Sequence, residues 1–146
     1  MGHSRCMEEM EMGGGHTPIA EVFADEIVFV GPDATLSEVA RELSEANVGV
    51  VVVRDGAKPS GVISERDVVH AVAEGRDPTV TRAAEVAHSE LLWCDVTSTV
   101  AEVTGEMMEH YVRHVLVEQD GALVGVVSAR DLLGAYAAED VFMEEE

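Results

Sequence analysis

The sequence predicts an α/β (α+β) protein made of two β-α-β-β-α units packed about a pseudo-twofold. Three observations carry that expectation. The phrase Gly61-Val62-Ile63-Ser64-Glu65-Arg66-Asp67 returns as Gly125-Val126-Val127-Ser128-Ala129-Arg130-Asp131, sixty-four positions later. Each copy follows the same succession of strand, helix and hairpin signals. At 146 residues the chain has the length of about one domain, since a single core serves roughly 100 to 200 residues. The two units are therefore expected to share one core and to hold whatever they bind between them.

Residues 1–16 are rich in Met, Glu and Gly, with a Gly13-Gly14-Gly15 run. Such a composition buries too little apolar area to offset its ordering entropy, which predicts a flexible arm. The first unit is expected over 17–77. Ile27 to Val30 reads as a strand ended by Gly31-Pro32, and Thr35-Leu36-Ser37-Glu38 is a capping box that opens a helix. Leu36, Val39, Ala40 and Leu43 recur at the helical period and leave Glu38, Arg41, Glu42 and Glu45 outside. Val48 to Val53 is a valine run broken only by Gly49, the pattern of a strand covered on both faces. Asp55-Gly56 supplies a turn, Gly61 to Ile63 a further strand, and a helix from Glu65 closes near Gly75.

The second unit, 78–138, repeats that order. Leu91 to Cys94 is its first strand, Thr99-Val100-Ala101-Glu102 its capping box, and Val100, Val103, Met107 and Met108 its apolar helix face. Val112 to Val117, Asp120-Gly121, Gly125 to Val127 and a helix from Ala129 follow. Pro78, Thr79 and Thr81 mark a linker over 77–82, and 139–146 is an acidic tail in which Val141, Phe142 and Met143 form either a frayed helix end or a docking patch for a neighbouring subunit.

Composition narrows the function. Acidic residues number 29 against 9 basic ones, a formal charge of −20, and such a field repels nucleic acid and anionic membrane surfaces. Lys58 is the sole lysine. Either a salt-rich cytoplasm, where ~1 M salt shortens the Debye length to about 3 Å, or an Arg-favouring genome accounts for that. Cys6 and Cys94 form neither a disulfide framework nor a metal-type pair. No run reaches the ~20 apolar residues of a membrane span, and the amino terminus has no apolar signal region. A cytoplasmic protein with reduced thiols is expected.

Ser64-x-x-Asp67 and Ser128-x-x-Asp131 carry the chemistry. Taken singly, a Ser followed three positions later by an acid is an ordinary helix cap. The same atoms also suit a nucleoside phosphate. The first turn of a helix offers unpaired N–H groups to a phosphate, a serine hydroxyl adds a donor, and an aspartate accepts from both hydroxyls of a ribose. Val28 and Leu92, with Phe29 and Trp93, would supply a flat apolar slot for a purine.

The twice-repeated Gly-apolar-apolar-Ser-x-x-Asp makes the chain resemble a tandem pair of CBS domains, a Bateman module, over about Ile19 to Ala137. That resemblance implies two clefts for adenosine ligands such as AMP, ADP, ATP or S-adenosylmethionine. It also implies Asp67 and Asp131 on ribose hydroxyls, Ser64 and Ser128 beside phosphates, and a homodimer. Arg113 and His114 match the basic residues that the family places at the start of the second strand, whereas Gly49 and Val50 do not. Arg66 and Arg130 either supplement the phosphate charge or point to solvent. A triphosphate in so acidic a protein would call for Mg²⁺ or salt.

Enzyme chemistry lacks its parts. Neither serine lies in a nucleophile elbow, His70, His88, His110 and His114 are scattered, and there is no Walker loop, Cys-x-x-Cys or Gly-x-Gly-x-x-Gly. The expectation is a stand-alone regulatory module without a required cofactor, which passes ligand occupancy to an unidentified partner by population shift. The alternative is a structural or interaction module whose serine and aspartate pairs serve only as caps.

Overall fold

The computed structural model describes residues 15–23 and 26–144, with side-chain detail as far as Ala138. Of the arm expected over 1–16, residues 1–14 lie outside the described residues, as do the side chains of Val141, Phe142 and Met143, while Gly15 is buried and its carbonyl accepts from Ala101 N at 2.8 Å. The chain forms two compact units, one from residues 26–91 and one in which the amino-terminal segment joins 92–144.

In the unit of 26–91, β1 (Phe29–Val30), β2 (Val50–Asp55) and β3 (Lys58–Ser64) form one sheet in that order, flanked by α1 (Leu36–Ala46), α2 (Glu65–Ala73) and α3 (Ala83–Val86). The other unit repeats the sheet with β4 (Trp93–Asp95), β5 (His114–Gln119) and β6 (Ala122–Ser128), joined by α4 (Val100–His110) and α5 (Ala129–Glu144). In both, the first strand runs parallel to the second and the second pairs antiparallel with the third. This is the β-α-β-β-α order expected from the repeat.

Local chemistry explains the elements. The Thr35–Glu38 and Thr99–Glu102 boxes both close, with each threonine accepting from the glutamate N–H at 3.2 Å. Leu36, Val39 and Leu43 are buried on α1, as are Val100, Val103 and Met107 on α4. Val51, Val52 and Val53 are buried consecutively, so β2 is covered on both faces. Asp120 and Gly121 both take positive φ, which gives the β5–β6 hairpin a turn matched to strand twist.

Two expectations change, and two segments gain detail. Met108 is 72% exposed while Met107 is 5% exposed, because one residue of helix turns about 100° and carries Met108 off the Val100–Val103–Met107 stripe. The expected single core is two clusters. One holds Val30, Val39, Leu43, Val51, Val53, Ile63 and Ala83, and the other holds Ile19, Val100, Val103, Met107, Val115, Val117, Val127 and Leu132. The connecting residues 77–82 are packed: Thr81 is buried, its carbonyl accepts from Leu36 N at 2.9 Å, and Arg82 reaches the Asp33 carbonyl at 2.7 Å. The helix from Ala129 continues to Glu144.

The remaining difference concerns what completes each unit. Ile19 precedes the first repeat in sequence, yet it is fully buried in the core of 92–144; Ala83 precedes the second repeat and is fully buried in the core of 26–91. The backbone bonds match at the sequence offset. Leu36 N to Thr81 O (2.9 Å) corresponds to Val100 N to Thr17 O (2.8 Å), and Ala83 N to Ala34 O (2.7 Å) to Ile19 N to Ser98 O (2.8 Å). Each unit therefore takes its closing segment from ahead of the other repeat. Sequence periodicity could not show this, since three-residue pieces such as Ile19–Glu21 carry no helical period.

Among the described residues no helix is long and apolar enough to cross a membrane. Ile19→Ala should lower stability by about 2–4 kcal/mol, as core truncations do. Hydrogen exchange should show amides of β4–β6 losing protection first; initial loss in β1–β3 would contradict the exchanged packing.

Candidate functional site

Each Ser-x-x-Asp sits where the third strand of a unit runs straight into a helix. Ser64 ends β3 and caps α2: its hydroxyl accepts from Asp67 N at 3.2 Å, while Asp67 Oδ2 accepts from Ser64 N at 2.8 Å and from Ser64 Oγ at 3.0 Å. Ser128 does the same for α5, accepting from Asp131 N at 3.1 Å, with Asp131 Oδ2 taking Ser128 N at 2.9 Å. The capping reading thus holds at both places. It leaves the second carboxylate oxygen, Oδ1, to other partners.

The two entrances differ around that oxygen. Asp67 Oδ1 meets His88 Nε2 at 2.7 Å, with the carboxylate side chain 20% exposed and the imidazole 65% exposed. Among the described residues Asp131 Oδ1 meets nothing comparable. His88 is held by its backbone, which exchanges two bonds with Val62 at 3.0 and 3.1 Å beside β3. Gly61 makes this approach possible, because a Cβ there would lie 2.9 Å from both the Ala87 methyl and the His88 carbonyl. Gly61 is thus explained by backbone proximity.

The start of the second strand also reaches each entrance. Glu65 N donates to Gly49 O at 3.0 Å, and Ala129 N donates to Arg113 O at 2.8 Å. Arg113 therefore stands at the mouth of α5, exposed and without an ion pair among the described residues. At the mouth of α2 the corresponding residue is Gly49, and the Glu65 carboxylate lies 3.3 Å from where a Cβ would project. A cation at one entrance corresponds to an anion at the other, which favours phosphate at α5 over α2.

The other expected residues fall into place around these caps. His114 is half-buried on β5 directly opposite Ser128, so it is part of the sheet next to the α5 entrance. Arg66 and Arg130 are exposed just inside their helices and form no ion pair among the described residues. Val28 and Leu92 pack half-buried against the cores of their own units. Phe29 is covered by the Arg54 guanidinium, 3.8 Å from its ring centroid, whereas Trp93 is 38% exposed. The aromatic surface available to a purine is therefore greater at Trp93.

His88 is the residue sequence reasoning missed. It reads as one scattered histidine, and its partner lies twenty-one positions away in a different element. The only hint was Gly61, whose lack of a side chain signals a close backbone neighbour without saying which. Cys94 was expected to be an unreactive thiol. Burial, then the charges of Asp95 and Glu118, push its pKa up to about 11.

A protein-family model described as CBS domain matches residues 19–74 and 83–138. Hypoxic response protein 1 of Mycobacterium tuberculosis is 29% identical over 118 residues, 80% of this chain and 82% of its own length. The CBS domain protein PAE2072 of Pyrobaculum aerophilum, solved in complex with AMP, is 34% identical with a TM-score of 0.69 over 83% of this chain and 98% of its own. The CBS-domain protein ATU1752 of Agrobacterium tumefaciens aligns with a TM-score of 0.75 at 31% identity, over 84% of this chain and 95% of its own.

Two outcomes check the site chemistry. Ser64→Ala and Ser128→Ala should each cost about 1 kcal/mol without any ligand, the usual loss of a helix cap; unchanged stability would remove the capping role. In a Cys6→Ala background, Cys94, with its thiol near pKa 11, should alkylate at pH 8 about 100-fold more slowly than a free thiol of pKa near 9, since only the thiolate reacts. A rate equal to that of free cysteine would contradict its burial.

Proposed function

Because the chain belongs to the CBS-domain family, we propose that it is a regulatory module that binds an adenosine nucleotide, AMP first among them, at its Ser-x-x-Asp helix entrances and relays occupancy to a partner protein. The observation that carries this reading is the α5 entrance, where Ser128 and Asp131 cap the helix, the Arg113 carbonyl accepts from Ala129 N, and neither Asp131 Oδ1 nor Arg113 has a side-chain partner among the described residues. Asp131 supplies acceptors for a ribose diol, and the α5 amides with Arg113 supply positive charge for a phosphate. PAE2072, a relative of similar length that was solved with AMP, supports the choice of ligand.

Charge sets the preference among adenosine ligands. Every phosphate added to the ligand meets the field of a chain with formal charge −20, so a monophosphate is favoured over ATP at low salt and without Mg²⁺. In this reading the chain carries out no reaction of its own. Binding selects one conformation of the module, and the partner reads the altered surface.

The reading also includes a homodimer and a cytoplasmic setting. Val69 and Val72 on α2 and Leu133 on α5 are 63%, 51% and 69% exposed, and Val69 and Leu133 are equivalent positions of the repeat. Exposed apolar side chains on matching helices suit a second copy of the chain. Two cysteines outside any disulfide framework suit a reducing compartment.

Thermal denaturation of the full chain with AMP, ATP and S-adenosylmethionine tests the reading. AMP at 100 times its dissociation constant should stabilise the chain by about 2.7 kcal/mol, and Asp131→Ala should lose most of that gain. Indifference to all three compounds would instead favour the structural role, with the serine and aspartate pairs acting as caps alone.

A further inference from the structure

Resting on the AMP-binding reading above, we propose that His88 is a built-in occupant of the ribose position at the α2 entrance, so that the chain takes one nucleotide, at Asp131, rather than two.

The inference follows from counting acceptors. An ionised carboxylate offers about four lone-pair positions to hydrogen-bond donors. At Asp67, Ser64 N and Ser64 Oγ take two of these on Oδ2, and His88 Nε2 meets Oδ1 at 2.7 Å. About one position remains for the two hydroxyls of a ribose. At Asp131 a single bond among the described residues, from Ser128 N, leaves about three. A ribose arriving at Asp67 must therefore displace the imidazole, whereas one arriving at Asp131 displaces no side chain among the described residues.

His88 is well suited to that role. Its two backbone bonds with Val62 fix the residue beside β3, and the space over Gly61 is filled by Ala87 and the His88 carbonyl. The ring lies on the solvent side, being far more exposed than the carboxylate it covers. Sixty-four positions before His88 the sequence has Ala24, whose side chain has no hydrogen-bonding atom, and among the described residues no imidazole meets Asp131. The charge pattern reinforces the difference, since Glu65 lies at the α2 entrance where the α5 entrance has Ala129 and Arg113.

His88→Ala removes an exposed side chain and should fold normally. Isothermal titration of the full chain with AMP should give one nucleotide per chain in the parent and none in Asp131→Ala. In His88→Ala the count should rise to two, and adding Asp67→Ala to that variant should return it to one. Two nucleotides per parent chain, or one per His88→Ala chain, would overturn the role of His88 and leave the AMP-binding reading intact. Failure of AMP to bind parent and His88→Ala alike would refute that reading and the inference with it. Nitrogen NMR supplies a readout independent of nucleotide: the His88 Nε2 resonance should move in Asp67→Asn and stay in Asp131→Asn, and an unmoved resonance would show that the pair does not form.

Discussion

An aspartate that closes the cap of its own helix has already committed part of its acceptor capacity, and what remains decides whether it can hold anything else. Both repeats use Ser-x-x-Asp to satisfy the amides that a helix start leaves unpaired. Both do so with one carboxylate oxygen, which turns the other toward the surroundings. The two entrances differ in that second oxygen: among the described residues it meets no partner at Asp131, whereas at Asp67 it meets an imidazole. Motifs that share their serine and aspartate thus acquire different surroundings from a residue outside either motif.

That residue arrives through the way the units are completed. Each three-stranded sheet and its helices leave a gap in the core that is filled by a buried side chain from ahead of the other repeat, Ala83 in one unit and Ile19 in the other. The matched backbone bonds of 81–84 and 17–20 show that the two closures are the same structure built twice. The 83–88 segment goes on to pair with β3 and brings His88 against Asp67. The same extension therefore stabilises a unit and modifies its helix entrance.

Much of this was legible in the chain itself. Capping boxes at Thr35 and Thr99, the valine run in β2 and the Asp120-Gly121 turn are local signals, and the structure realises each of them, whereas the other hairpin turns one residue later than Asp55-Gly56, at 56–57. The serine and aspartate pairs were legible for the same reason, since a cap needs only residues three apart. What escaped was non-local. The buried roles of Ile19, Thr81 and Ala83 depend on contacts with distant strands and helices, and short polar or irregular pieces give no periodic hint of burial. His88 escaped on the same grounds, and Met108 was misplaced because two adjacent methionines read as one apolar patch although a helix turns them to different faces. The contrast between Arg113 and Gly49 was visible from the start, but its meaning needed the bonds that bring both residues to the helix mouths.

The most direct measurement is carboxyl carbon NMR of Asp67 and Asp131 during a titration of the full chain with AMP. The Asp131 Cγ resonance is expected to shift and saturate while the Asp67 Cγ resonance stays where its serine and histidine partners hold it. Equal movement of both resonances, or movement of Asp67 alone, would contradict the assignment of ribose binding to the one aspartate whose second oxygen is open.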